Sequence, residues 1–181
     1  IELHTDNLDK FFTPRPKVDW PAHSAMSSHD ALMVASGITT VLDAVAIGDV
    51  RDGGDRLENL EKMINAIEET QKRGVNRAEH RLHLRCELPH HTTLPLFEKL
   101  VQREPVTLVS LMDHSPGQRQ FANREKYREY YQGKYSLTEA QMQQYEEEQL
   151  ALAARWSQPN RETIAAMCRA RHIALSSHDD A

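Results

Sequence analysis

The sequence has little cysteine: Cys86 and Cys168 are the two in the chain, and they stand in no CxxC arrangement. That excludes a disulfide scaffold and a cysteine-based zinc ribbon, and it points to a reducing, cytoplasmic setting. Long apolar runs are missing as well. The longest falls well short of the roughly 18 residues that a membrane helix needs, and the mean hydropathy is −0.65, so no membrane association is expected. Basic charge is not in excess: 22 Lys+Arg stand against 27 Asp+Glu, a net charge of −5. Such a balance leaves little with which to neutralise a phosphate backbone, which argues against nucleic acid as a partner. The chain starts at Ile1, inside an apolar strand-like segment, with neither the charged n-region nor the apolar h-region of a signal peptide. We expect the functional protein to be longer than this chain at both ends.

What is present suits one domain of 181 residues with a sizeable core. Extended and helical patterns alternate throughout, the pattern of βα units around a parallel sheet. Ile1 to His4 reads as the end of a strand, Thr13 to Pro16 as a proline-bound loop, and Ala22 to Ser36 as a helix closed by Gly37. The β-branched run Ile38 to Val45 reads as the second strand. After the polar loop Gly48 to Gly54, Asp55 with Glu58 resembles a capping box, and Leu57, Leu60, Ile64 and Ile67 keep helical spacing up to Gly74. From Arg81 to Leu88 the residues alternate, with Leu82, Leu84, Cys86 and Leu88 on one face and Arg81, His83, Arg85 and Glu87 on a face that must line something wet or charged. Thr93 to Arg103 predicts a helix, Val106 to Met112 a buried strand, and Ile173 to Ser177 a fifth strand. Between the last two lie two polar segments, Gln118 to Tyr135 and Leu137 to Trp156, read as an inserted lid or arm over 118–157, then a helix begun by Asn160 after Pro159.

Ten histidines is a rich supply, and several fall with carboxylates at the carboxyl ends of predicted strands. His4 and Asp6 follow the first, Glu87 the third, His114 the fourth and His178 the fifth. Parallel α/β folds assemble their sites on that rim, because successive strands deliver their last residues to it. Taken as a set, these five predict a metal centre. Singly, each has a plainer alternative: a histidine bonded to an aspartate in a turn for His4, a salt bridge with Arg85 for Glu87, a helix cap for His114 or His178. Arg85 is the first candidate for a phosphate clamp, with Lys10 and Arg15 next, against the alternative of solvated surface charge. Arg124, Lys126, Arg128 and Lys134 alternate with Tyr127, Tyr130, Tyr131 and Tyr135, which suits either a lid over a polyphosphate or a helix with its tyrosines turned inward. His90 and His91 follow Glu87 as rim or exposed loop residues.

His4-Thr5-Asp6, Pro14-Arg15-Pro16, Gly37-Ile38-Thr39-Thr40-Val41-Leu42-Asp43, Leu84-Arg85-Cys86-Glu87, Asp113-His114-Ser115-Pro116-Gly117-Gln118 and Ser177-His178-Asp179-Asp180 together resemble the amidohydrolase superfamily. Within it they are similar to the diphosphatases of the carbon-phosphorus lyase pathway of phosphonate degradation. The resemblance implies a (β/α)8 TIM-type barrel, of which about five βα units are present across 1–181, with the helical insertion after the fourth strand. It implies that His4, Asp6, Glu87, His114 and His178 hold one or two divalent ions, Zn2+ first and Mn2+ or Mg2+ next. The implied substrate is a small, highly anionic ribose triphosphate bearing a phosphonate, split to release diphosphate. Three departures stand out: Asp6 replaces the second histidine of the commoner HxH pair, Glu87 falls on the third strand where the superfamily uses its fourth, and the eighth-strand aspartate that serves as general base lies outside this chain. Cleavage of a C–N bond by the same kind of centre, and an inactive partial barrel, are the alternative readings. Unpaired strands at the edges of such a sheet predict aggregation, pairing with another copy as a homo-oligomer, or presence as the ordered part of a longer chain.

Overall fold

The computed structural model describes residues 1–15, 18–48, 55–118 and 121–177, with the backbone alone for 55–58. The elements alternate broadly as the sequence predicts, with one short helix, α1, that the sequence reading did not contain: β1 (Glu2–Thr5), α1 (Asn7–Phe12), α2 (Ala22–Ala35), β2 (Thr40–Ile47), α3 (Asp55–Lys72), β3 (Glu79–Glu87), α4 (Thr93–Leu100), β4 (Val106–Met112), α5 (Arg124–Tyr135), α6 (Glu139–Ala170) and β5 (Ala174–Ser177). All five strands are parallel, in the order β1-β2-β3-β4-β5. Because βαβ crossovers share one hand, an order without reversal puts the crossover helices on one face of the sheet. A doubly wound sheet would need a reversal, and none occurs among the described residues.

The two faces of the sheet differ accordingly. Val45, Ile47, Leu82, Leu84, Cys86, Val109 and Leu111 point outward and form the core with Leu60, Ile64 and Ile67 of α3, Phe97 and Leu100 of α4, and Ile164 and Cys168 of α6. The register pairs Ala44 with His83, Ala46 with Arg85, and Arg85 with Ser110, so these residues share the opposite, inner face. Small Ala44 and Ala46 leave room above β2. Across that room His83 of β3 reaches the Leu3 carbonyl at 3.1 Å, and Arg85 reaches Asp6 at 2.5 Å. Side chains bridge β1 and β3 over β2 because the sheet curls, giving a half-barrel consistent with a partial TIM-type barrel.

Several predicted boundaries move. The second strand starts at Thr40, since Gly37, at φ +76, and the Ile38 N–H, bonded to the Met33 carbonyl, first close α2. The helix after the third strand stops at Leu100 rather than Arg103. The third strand begins two residues earlier than predicted, at Glu79, and ends at Glu87, so Glu87 lies on the third strand of the described sheet. The capping-box side chains Asp55 and Glu58, and most of the loop Gly48 to Gly54, lie outside what is described.

The largest correction concerns Pro159, which starts no new helix. It lies inside α6, a single helix of 32 residues. Thr138 and Gln141 close a reciprocal capping box at its start, and Pro159 sits on an exposed face, where the carbonyl deprived of its donor can turn to water. One helix therefore serves two purposes: its first half pairs with α5, and its second half is the crossover to β5, packed on α4. Beside the proline, buried Asn160 donates to the carbonyls of Leu88 and His90, at 2.8 and 3.1 Å. That pins the loop directly after Glu87. Asn160→Leu leaves both buried acceptors without this donor and should cost about 2 kcal/mol or more, read as a lower urea midpoint at unchanged slope.

Candidate active site

Four of the five residues predicted as metal ligands lie in described segments, and they form two pairs. His4 ends in an Nε2 atom 3.8 Å from Asp6 Oδ2. Asp6 follows the strand, as predicted, at the start of α1, where its side chain makes no capping bond, while His4 lies within β1. Its carboxylate instead accepts from Arg85 Nη1 at 2.5 Å. Metal bonds of about 2.0–2.2 Å allow two donors on one ion to stand up to about 4 Å apart, so the His4–Asp6 spacing fits a shared ion.

The second pair is Glu87 with His114. His114 Nδ1 donates to Glu87 Oε2 at 2.5 Å, and the His114 backbone N–H donates to Oε1 at 3.1 Å. Glu87 is 2% exposed. The alternative reading of Glu87, a salt bridge with Arg85, is not among the described contacts; Arg85 pairs with Asp6. Thr93 Oγ1 donates to the Glu87 carbonyl, and Gly48, at φ +81, backs the same spot, where a Cβ would lie 2.1 Å from Thr93 Oγ1. His178, with Asp179 and Asp180, lies outside the described residues.

Among the predicted phosphate-binding groups, Arg85 and Lys10 line one pocket of about 220 Å³ together with Asp6, Asp9 and Ala46. Arg15 does not join them among the described contacts; it sits exposed in the first loop, bridged to Val18. On α5 two tyrosines turn inward, Tyr127 and Tyr131, buried with Phe121 and Met142, while Tyr130 is half exposed. Arg128 pairs with Glu139 and Glu146 of α6, and Lys134 lies 5.3–5.6 Å above three tyrosine rings. This cluster borders the Glu87–His114 pair, with the Phe121 ring edge-on to His114 at 6.2 Å. The polar face of β3 is wet only in part: Arg81 is exposed, while His83 is closed in at 3% exposure. His90 is buried and stacks on exposed His91 at 4.6 Å. Burial pushes the Cys168 thiol up to about 11 and Cys86 well above its usual value, so both stay protonated and inert.

Sequence reasoning missed a second group, on the outer face. His29 of α2, Asp43 of β2 and His80 of β3 are fully buried, and their ligand atoms lie within 4.8 Å of one another. The donor types are those of a metal site. Their arrangement, however, is a chain of hydrogen bonds: His29 Nε2 donates to Asp43 Oδ1 at 2.5 Å, His80 Nδ1 to Asp43 Oδ2 at 2.7 Å, and His80 Nε2 to Asp30 Oδ1 at 3.2 Å. Donors in contact at 2.5–2.7 Å share protons, and an ion could enter only if they parted. Asp30 also accepts from the backbone N–H groups of Arg77 and Ala78. The three residues are 14 and 37 positions apart, with no local spacing that marks them as a group.

No family model matches the chain, and no solved structure matches it. Fold and rim nevertheless define a class: a singly wound parallel α/β sheet whose strand ends carry imidazole and carboxylate in close pairs. Across all 181 of its residues the chain is 97% identical to the alpha-D-ribose 1-methylphosphonate 5-triphosphate diphosphatase of Escherichia coli (strain K12) and covers 48% of it. It thus spans about half the length of that curated relative.

The buried network makes stability depend on pH. For Asp43, burial opposes charge, but the bonds from His29 and His80 outweigh it and hold the carboxyl below its usual range; Asp30 is lowered likewise by Ala78, Arg77 and His80. For His80, burial is outweighed by Asp43 and Asp30, and its pKa rises. The aspartate contribution is present above their ordinary 3.8 and is lost as pH falls through the lowered values. The His80 contribution is complete below 6.5 and is lost as pH rises through the raised value. Thermal midpoints measured from about pH 5 to about pH 9 should therefore fall on the alkaline side, and His80→Gln should flatten that fall.

Proposed function

We propose that the protein hydrolyses α-D-ribose 1-methylphosphonate 5-triphosphate to the 5-phosphate and diphosphate, in the cytoplasm, with one or two divalent ions, Zn2+ before Mn2+ or Mg2+. The observation that carries this reading is the 97% identity, across the whole chain, to a diphosphatase whose name states that substrate. The rim supports it. In this reading His4 and Asp6 hold one ion at their 3.8 Å spacing, and Glu87, His114 and His178 complete the ligand set. A divalent ion held there would supply Lewis acidity toward phosphoryl oxygens and lower the pKa of water.

The chain's own residues account for the rest. Arg85 offers a planar guanidinium, held by Asp6 at the wall of the pocket that it shares with Lys10, and this places positive charge where a polyphosphate must be neutralised. Glu87 keeps the His114 ring turned by holding its Nδ1 proton, which leaves Nε2 as the ligating atom. The general base belongs, by the superfamily resemblance, to an eighth strand in the half of the relative that this chain does not span. Water adds across the anhydride between the α and β phosphates, so that one oxygen goes to the 5-phosphate or to the diphosphate and the bridging oxygen stays with the other.

The test places this 181-residue sequence in the matching half of the full-length E. coli relative. That protein should release diphosphate from the ribose triphosphate and no amine from cyclic amides. His114→Ala should lower kcat/KM by at least about 100-fold. Unchanged diphosphate release after His114→Ala, or amine release in place of diphosphate, would overturn the reading.

A further inference from the structure

We propose that His83, which stands among none of the ligands or phosphate-binding groups, is the positioning residue that fixes His4 on the rim. The inference rests on reading His4 and Asp6 as metal ligands. His83 lies on the inner face of β3, 3% exposed, two residues before Arg85 and four before Glu87. A carbonyl can only accept, so the 3.1 Å contact with Leu3 makes His83 Nδ1 the protonated nitrogen; in the neutral ring Nε2 then accepts from the Ser110 hydroxyl at 2.8 Å. Ser110 is itself buried, at 1%. Both ring nitrogens are thus held from two different strands, and the ring cannot turn without breaking one bond.

What the ring holds is the backbone next to His4. The Leu3 carbonyl belongs to the peptide that leads into His4, and the His4 ring meets the His83 ring edge to face at 5.1 Å. β1 is short and its pairing with β2 slips between Glu2 and Thr5, so the ladder alone defines its end poorly. Two side chains of β3 supply the missing definition: His83 before His4 and Arg85 after it, at Asp6. A plain packing role would be met by the branched apolar residues that normally fill the inner layers of such sheets. A doubly bonded histidine in that layer instead fixes the direction of a neighbouring ligand, as outer partners of metal ligands do.

The experiment compares His83→Asn with His83→Gln in the full-length protein, by Zn2+ titration and by thermal midpoint. The asparagine amide sits near the Nδ1 position and can keep the bond to Leu3; the glutamine amide sits near Nε2 and keeps only Ser110. The proposal expects similar thermal midpoints, Zn2+ affinity near that of the parent for His83→Asn, and a loss of about 10–100-fold for His83→Gln. Equal affinities in the two variants, with binding abolished by His4→Ala, would overturn the role of His83 and leave the ligand reading standing. Zn2+ binding unchanged by His4→Ala would overturn both.

Discussion

The two small alanines of β2 leave the inner face open between the side chains of β3 and the end of β1. Ala44 and Ala46 lie in register with His83 and Arg85, on the face away from the helices. Because these positions are small, His83 reaches Leu3 and Arg85 reaches Asp6, and the end of β1 is brought to the rim that Glu87 already occupies. Branched residues at either position would pack the half-barrel more tightly and push β1 away. The sheet gives up apolar contact here and gains a defined place for His4 and Asp6.

The outer face meets the opposite demand. It is dry, and each buried charge there must have a counterpart, since an unmatched one costs several kcal/mol. Asp43 is matched from two sides, by His29 and by His80, and His80 is matched again by Asp30. The chain of bonds joins α2 to β2 and β3, and through Asp30 it holds the Arg77–Ala78 turn at the start of β3. Removing one member strands the others in a water-free layer, so the group behaves as a single structural clamp. Its closeness sets it beside the Glu87–His114 pair, itself in contact at 2.5 Å, and apart from the His4–Asp6 pair. On the outer face histidine and carboxylate touch through protons; on the rim His4 and Asp6 stand 3.8 Å apart, at a spacing an ion can share.

Much of this was legible in the sequence, and the parts that were not have physical reasons. The strand Val106–Met112 has the bounds its apolar run predicts, and Gly37 and Gly74 close helices at positive φ as their positions suggest. Strand alternation correctly put Leu82, Leu84 and Cys86 on the helix side. The pairing of Arg85 with Asp6 was hidden, because it crosses a strand and depends on the size of residues on a third element. Pro159 misled, since a proline on an exposed helix face costs a bond but need not end the helix. The His29–Asp43–His80 group joins residues far apart in sequence, with no local period to announce it. The tyrosines of α5 were ambiguous by nature: an inward-turned helix and a lid share one pattern, and only the packing of Tyr127, Tyr131 and Met142 distinguishes them.

The long helix that the proline misled us about is also what ties the Glu87 surroundings together. Near its middle, Asn160 holds the loop that follows Glu87; in its first half, Tyr145 packs on Tyr131 with ring centroids 5.5 Å apart. Burial first, and then the nearby Glu87, push the Tyr131 hydroxyl well above its usual value and keep it protonated. Tyr131 is therefore a neutral group within electrostatic reach of Glu87, and the Asn160-pinned loop follows Glu87 directly. Both are tied to one 32-residue helix, the loop through Asn160 and Tyr131 of α5 through Tyr145. A carboxylate so enclosed is dry, and its bonds to His114 are stronger for it, because little water competes for the same oxygens. The helical arm is thus more than a cover added to a finished rim: it makes the low-dielectric setting in which the Glu87–His114 pair holds its geometry.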